Sequence, residues 1–204
     1  MGVLASVIWI GGSPCAGKTS VAQRLADRYG LTVYHFDRHE ADHIKRSSGV
    51  REPALHAFLA MTMDERWVRR STQEMARSVI LAWTERFRFV LEDLRALPSE
   101  PPVIVEGPGL FPELVAPHLA RQQQAIWLVP TAAFCATMRR RCGSTMPTQT
   151  SQPEQAWQNL IDRDILLAAY VCQRAEEHNL AILQIDGTQP VDAIAAAVAA
   201  RMGL

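Results

Sequence analysis

A chain of 204 residues, 48% hydrophobic and 21% charged, can bury a full core and fits one domain over 1–204. Lys+Arg and Asp+Glu both number 21, so the zero formal charge argues against a general polyanion-binding surface; no nucleic acid or membrane is expected as a partner, and any phosphate site must be local. No uncharged apolar run approaches the roughly 20 residues of a membrane span. Cys15, Cys135, Cys142 and Cys172 form no C-x-x-C pair, which fits reduced thiols, and the start lacks a basic n-region, so a cytoplasmic protein is expected. Met1-Gly2-Val3-Leu4-Ala5-Ser6 fits a loose myristoylation pattern, set aside because a strand follows almost at once.

In chain order, Ser6 to Gly12 reads as a buried strand closed by glycines. Val21, Ala22, Leu25 and Tyr29 mark an amphipathic helix that Gly30 is placed to end. Leu31 to Phe36 is a second strand. The long stretch after it reads as helical, with a break near Met63-Asp64 and a capping box, Ser71 and Glu74, opening a helix whose stripe of Met75, Val79, Trp83, Phe87 and Leu94 is expected in the core. Val103 to Val105, Ala125 to Val129 and Ala181 to Ile185 complete the strands. Between the last two lie a polar loop, Cys142 to Thr150, and a helix that Ser151 and Glu154 would cap. Strands alternating with helices predict an α/β fold with about five strands in a mostly parallel sheet, flanked by helices, its ligand lying beyond the carboxyl ends.

Between the first strand and helix, Gly12-Ser13-Pro14-Cys15-Ala16-Gly17-Lys18-Thr19 fits G-x-x-x-x-G-K-[ST] in the strand–loop–helix context that the pattern requires. Backbone N–H groups of such a loop hold phosphate oxygens, and the helix N-terminus adds its dipole. Lys18 brings a mobile charge, expected to stand exposed, and Thr19 offers a hydroxyl to Mg²⁺. Gly12 through Ser20 are therefore the candidate nucleotide-binding residues. Cys15 is either a thiol activated by the helix terminus or a position at which the backbone does the binding and the side chain is incidental.

On "GGSPCAGKTS", and with "HFD" after the second strand, "VIVEGPG" at the third, an arginine cluster after the fourth and "QIDGT" after the fifth, the chain resembles the P-loop kinases of small molecules. That group includes adenylate, cytidylate, uridine and shikimate kinases and chloramphenicol phosphotransferase. The resemblance implies a P-loop NTPase fold, ATP and Mg²⁺ as cofactors and a small-molecule acceptor bound by a helical insertion over about 38–98. It places Asp37 at the acceptor hydroxyl as base, Glu106 near the metal, and a lid over about 138–164. From that lid Arg139, Arg140 or Arg141, together with Arg163, would approach the nucleotide, because phosphoryl transfer is mostly charge neutralisation. "IDGT", 185–188, would back the adenine ring. Glu106-Gly107 replaces the Asp-Gly of nucleoside monophosphate kinases and their acceptor arginines are missing, so nucleotide phosphorylation is not favoured. Asp64-Glu65-Arg66-Trp67 and Arg69-Arg70 become candidates for acceptor recognition, or else a packing tryptophan on a solvated face. N-K-x-D is absent, against a GTPase.

A competing motif is "HEADH", His39 to His43, which matches the H-E-x-x-H of zinc hydrolases. Arg46 and Gly49 break the metzincin continuation, and no third ligand follows, so the segment is read as a polar helix start beyond Asp37. Two functions remain open: a kinase acting on a hydroxyl of a small molecule, and a nucleotide-binding regulatory P-loop ATPase without such an acceptor.

Overall fold

The computed structural model describes residues 4–204; the candidate acylation site at Gly2 lies outside the described residues. Five strands, β1 (Val7–Gly12), β2 (Thr32–His35), β3 (Val103–Glu106), β4 (Ala125–Pro130) and β5 (Ala181–Ile185), form one sheet in the order β2-β3-β1-β4-β5, with every pairing parallel. All five lie where the apolar runs place them. Side chains alternate along each strand, and both faces are buried. Ile8, Ile10, Ile104, Ile126 and Leu128 point to one side and pack with α1 (Lys18–Tyr29) and α9 (Val191–Met202). Trp9, Val105 and Trp127 point to the other and pack with α5 (Thr72–Ala96) and α8 (Pro153–Glu177).

Register brings the chemistry-bearing ends together: Ile10 and His35 both pair with Glu106, and Gly12 pairs with Leu128. At Gly12, φ is 127° and a Cβ would stand 1.9 Å from the Leu128 carbonyl oxygen, so only glycine lets β1 leave the sheet here.

Past β2 the chain makes a 3-10 turn at Asp37–His39 and then three short helices, α2 (Glu40–Arg46), α3 (Pro53–Ala60) and α4 (Met63–Trp67). The break in the helical stretch falls at Met61-Thr62, just before the expected point, because Thr62 and Glu65 form a capping box that starts α4. Ser71 and Glu74 cap α5 as their spacing predicts. Beyond β3 come α6 (Pro112–Val115) and, after β4, α7 (Ala132–Cys142). The expected Ser151–Glu154 cap is replaced: Gln152 precedes α8, and the Ser151 hydroxyl and amide both donate to Asp64, at 2.6 and 2.7 Å. Polar residues there tie the start of α8 to α4. No helix among the described residues is long and apolar enough to cross a membrane.

"HEADH" is more than a polar helix start. His43 is wholly buried, its Nε2 lying 2.9 Å from Asp93 and 3.1 Å from the Tyr34 hydroxyl, while His39 stacks on the Tyr34 ring at 4.1 Å. Burial holds His43 below the usual histidine range. His43 thus fastens α2 to α5 through Asp93, while His39 packs the preceding turn on the Tyr34 ring, so each histidine has a structural place.

Candidate active site

At the carboxyl edge of the sheet the loop between β1 and α1 opens into a cavity of about 560 Å³, which continues to a wall built by α3 and α5. Pro14, Cys15, Gly17, Lys18, Thr19 and Ser20 line its phosphate-loop end. Gly12, Ser13 and Ala16 stand behind that loop: Ala16 is packed in the core, and Ser13 turns its carbonyl inward. Two positive φ angles, 65° at Cys15 and 77° at Gly17, curl the backbone around the hollow.

Lys18 is not the exposed charge that the sequence suggests. Only 7% of it is accessible, and its Nζ donates to the Ser13 carbonyl at 2.7 Å, with burial holding the amine below the usual lysine range against the opposing pull of Glu106 and Asp37. A cation desolvated in this way has much to gain from an incoming phosphate.

Thr19 and Glu106 meet as expected, the hydroxyl donating to Oε1 at 3.1 Å. The same carboxylate oxygen lies 2.7 Å from His35 Nδ1, a partner that sequence reasoning missed. Its signal was the strand pattern, because His35 precedes "FD" and pairs in register with Glu106. A hydroxyl and a carboxylate side by side form a hard oxygen set that suits Mg²⁺, which takes few protein ligands and keeps water or phosphate oxygens as the others. Among the described residues no group of three or more His, Cys, Asp or Glu is arranged to hold a metal, so nucleotide oxygens would have to complete the shell.

Asp37 begins the turn just past β2 and lines the cavity opposite Lys18. Though reached by solvent through the cavity mouth, its carboxyl is crowded by protein, and this desolvation pushes its pKa up against the pull of Lys18. Behind it lies Arg86 from α5, which is 1% accessible and was likewise missed. Its guanidinium sits 4.1 Å over the Phe36 ring and donates to the Phe36 carbonyl and to Glu40, both at 3.0 Å, fixing the turn that presents Asp37. Buried within a 25-residue amphipathic helix, Arg86 resembles any surface arginine until the fold is known.

Of the arginine cluster, Arg139 faces the cavity, whereas Arg140 is exposed beside Glu154 and Arg141 is exposed. Arg163 also lines it, 4.9 Å over the Trp67 ring. Both arginines converge on Asp164, which is completely buried: Arg139 donates through Nε at 2.8 Å and through Nη2 to Oδ2, and Arg163 through Nε at 3.0 Å to Oδ1. The thiol of Cys135, on α7, acting as a hydrogen-bonding neighbour and opposed by burial but helped by Arg139, lowers Cys15 to about 7.

The candidate acceptor segment divides. Arg66 and Trp67 line the cavity; Asp64 receives Ser151 and Glu65 belongs to the Thr62 cap, so those acids serve the architecture. Val79 and Trp83, expected only as core, form part of the wall. Asp186 closes its own turn on Thr188, at 2.9 Å from its amide, and residues 185–188 do not border this cavity.

Solved structures that match along nearly the whole chain include two small-molecule kinases. A shikimate kinase from Acinetobacter baumannii in complex with shikimate superposes with a TM-score of 0.54 at 17% identity, over 95% of this chain and 90% of that one. A deoxyadenosine kinase from M. mycoides with bound dATP gives 0.51 at 10% identity, over 97% and 100%. No protein-family model matches the sequence, and no curated protein matches it. The strand order, the phosphate loop and these superpositions agree: the chain has the P-loop fold of the small-molecule kinases that it resembles.

Proposed function

We propose that the protein is an ATP-dependent phosphotransferase that moves the γ-phosphoryl group to a hydroxyl of a small molecule in the cytoplasm. The observation that carries this reading is a single cavity in which the phosphate loop, an unshared carboxylate at Asp37 and an enclosed wall of α3 and α5 face one another. A regulatory ATPase has no need of that second, walled half, and for this reason the transfer reading is preferred. The acceptor region is assigned to about 38–98 and the lid to about 138–164 of one domain.

In this reading the loop amides and Lys18 hold the outer phosphates, Lys18 exchanging the Ser13 carbonyl for phosphate oxygen. Mg²⁺, when bound beside Thr19 and Glu106, supplies neutralisation of phosphate charge. His35 holds the Glu106 carboxylate in place. Arg139 and Arg163 lie where negative charge spreads over the transferring group, and Asp164 keeps both guanidiniums oriented. Asp37 accepts the hydroxyl proton as the acceptor oxygen bonds to phosphorus and ADP departs; its raised pKa brings its basicity closer to that of a useful general base.

The test is ATP consumption screened over nucleosides, sugars, hydroxy acids and amino alcohols, followed by Asp37→Asn with the active acceptor. Asn keeps the size and loses the basicity, so Mg-ATP affinity should persist while turnover falls by about 10²–10⁴. Acceptor-independent ATP loss, or near-normal turnover in the variant, would contradict this function or this role respectively.

A further inference from the structure

The acceptor half of the cavity is chemically lopsided. Leu55, Phe58, Leu59, Val79, Ala82 and Trp83 give it carbon walls on two helices. Its polar groups are few and mostly engaged by the protein itself. Arg86 is committed to the Phe36 carbonyl and Glu40, and the Arg66 guanidinium donates to the Leu59 carbonyl at 2.7 Å while lying 4.7 Å over the Phe58 ring. Arg66 Nε, however, is buried and without a partner, and among the described residues no carboxylate pairs with this side chain. Arg86 Nε and Trp67 Nε1, on the same cavity, are likewise buried and without partners, so three unsatisfied donors stand at the margin of an apolar wall.

We infer that the acceptor is an alcohol with an apolar, ring-sized body whose hydrogen-bond-accepting oxygens are confined to one end, directed to the unpartnered N–H groups of Arg66, Arg86 and Trp67. Naming it an acceptor rests on the phosphotransferase reading. A sugar or nucleotide, polar over most of its surface, would still press hydroxyls or a phosphate against the carbon of Leu55, Phe58, Leu59 and Trp83, which offers them no partners, and this disfavours burial. An apolar ring loses little and removes the surfaces of Phe58 and Trp83 from water. The reacting hydroxyl faces Asp37 at the other end: its oxygen bonds to the γ-phosphorus, the bond from that phosphorus to the β-bridging oxygen breaks, ADP leaves, and the hydroxyl proton passes to Asp37.

The experiment titrates the full chain with 3-phenyl-1,2-propanediol, with glycerol as the same diol lacking the ring, and with glucose and AMP, following the fluorescence of the cavity tryptophans. ATP loss with each probe is measured separately. The phenyl diol should bind saturably and at least about tenfold more tightly than the other three, and Phe58→Ala should weaken it about tenfold with Mg-ATP affinity unchanged. Because Phe58 also packs beneath Arg66 and beside Trp67, Leu59→Asn, on the same wall, is the second variant should the first fail to fold. Tighter binding of glucose or AMP, or indifference of the phenyl diol to both substitutions, overturns the inference. The expected ranking without ATP loss supports the ligand class and counts against phosphoryl transfer; ATP loss with glucose and none with the phenyl diol does the reverse.

Discussion

Replacing Asp164 by Asn tests the electrostatic logic of the site at its least exposed point. The carboxylate is 0% accessible and receives Arg139 on one oxygen and Arg163 on the other, with those side chains 14% and 5% accessible. Asn preserves the shape but removes the one negative charge that, among the described residues, contacts both guanidiniums, and its amide hydrogens face donors. Breaking a buried ion pair from one side costs roughly 3–5 kcal/mol; because Asn retains one accepting oxygen, about 3 kcal/mol is expected. For a chain of this size each kcal/mol moves Tm by roughly 2–4 °C, so calorimetry should find a fall of about 6–12 °C. Asp162→Asn is the control. That residue is half-buried, adjacent to Arg163 and hydrogen-bonded only to Gln158 at 2.8 Å, so its substitution should stay within about 0.5 kcal/mol. Loss of orientation in both arginines should also raise the ATP KM by about tenfold. A Tm change below about 2 °C in Asp164→Asn, or equal effects of the two substitutions, would refute the view that one buried acid organises this side of the cavity.

Lys18→Ala should lower turnover by at least about 10²-fold, as loss of an oriented charge donor does, while Tm stays level or rises, because a desolvated amine is removed; a clear fall in Tm would contradict the burial argument. Cys15, lowered to about 7 with the Cys135 thiol as its hydrogen-bonding neighbour, should react with iodoacetamide at neutral pH well before Cys172, whose thiol burial pushes up, and Mg-ATP should protect it; peptide mapping of the alkylated chain reads both. Because burial raises Asp37, the folded state holds that proton into a higher pH range than the unfolded chain does, so the residue's contribution to stability falls as pH rises through that window; kcat/KM should rise through the same window and lose this acid limb in Asp37→Asn.

What was legible in the sequence was local. The phosphate loop is contiguous, its glycines answer to backbone geometry at the loop itself, and apolar runs mark all five strands, so fold and loop follow from short windows. The place of Asp37 and Glu106 on the cavity was legible because one stands just past the end of β2 and the other at the end of β3, where this architecture gathers ligands. The residues missed are defined by long-range placement. His35 acquires meaning only through a contact 71 residues away, and Arg86 through one with a backbone carbonyl 50 residues earlier. Tyr34, His43 and Asp93 form a similar case: the sequence argues against zinc at the two histidines through the missing third ligand, but the burial of His43 and its bond to Asp93, on α5, appear only in the fold.

Charge placement links the residues read from sequence, and Arg86, which was missed, to the proposed chemistry. Lys18, Arg139, Arg163 and Arg86 are all largely buried, and each would carry a heavy desolvation cost alone. Each has a dedicated partner: the Ser13 carbonyl for Lys18, Asp164 for Arg139 and Arg163, Glu40 with the Phe36 carbonyl for Arg86. These partners differ in how readily they let go. Lys18 is held by a neutral carbonyl, which a phosphate oxygen can replace with gain, whereas Arg139 and Arg163 are held by a full charge and keep further N–H groups for a ligand. The geometry therefore separates one mobile cation from two oriented ones. Phosphoryl transfer requires that division, because the phosphate must be gripped as it arrives while the groups that meet its spreading charge stay fixed during the transfer.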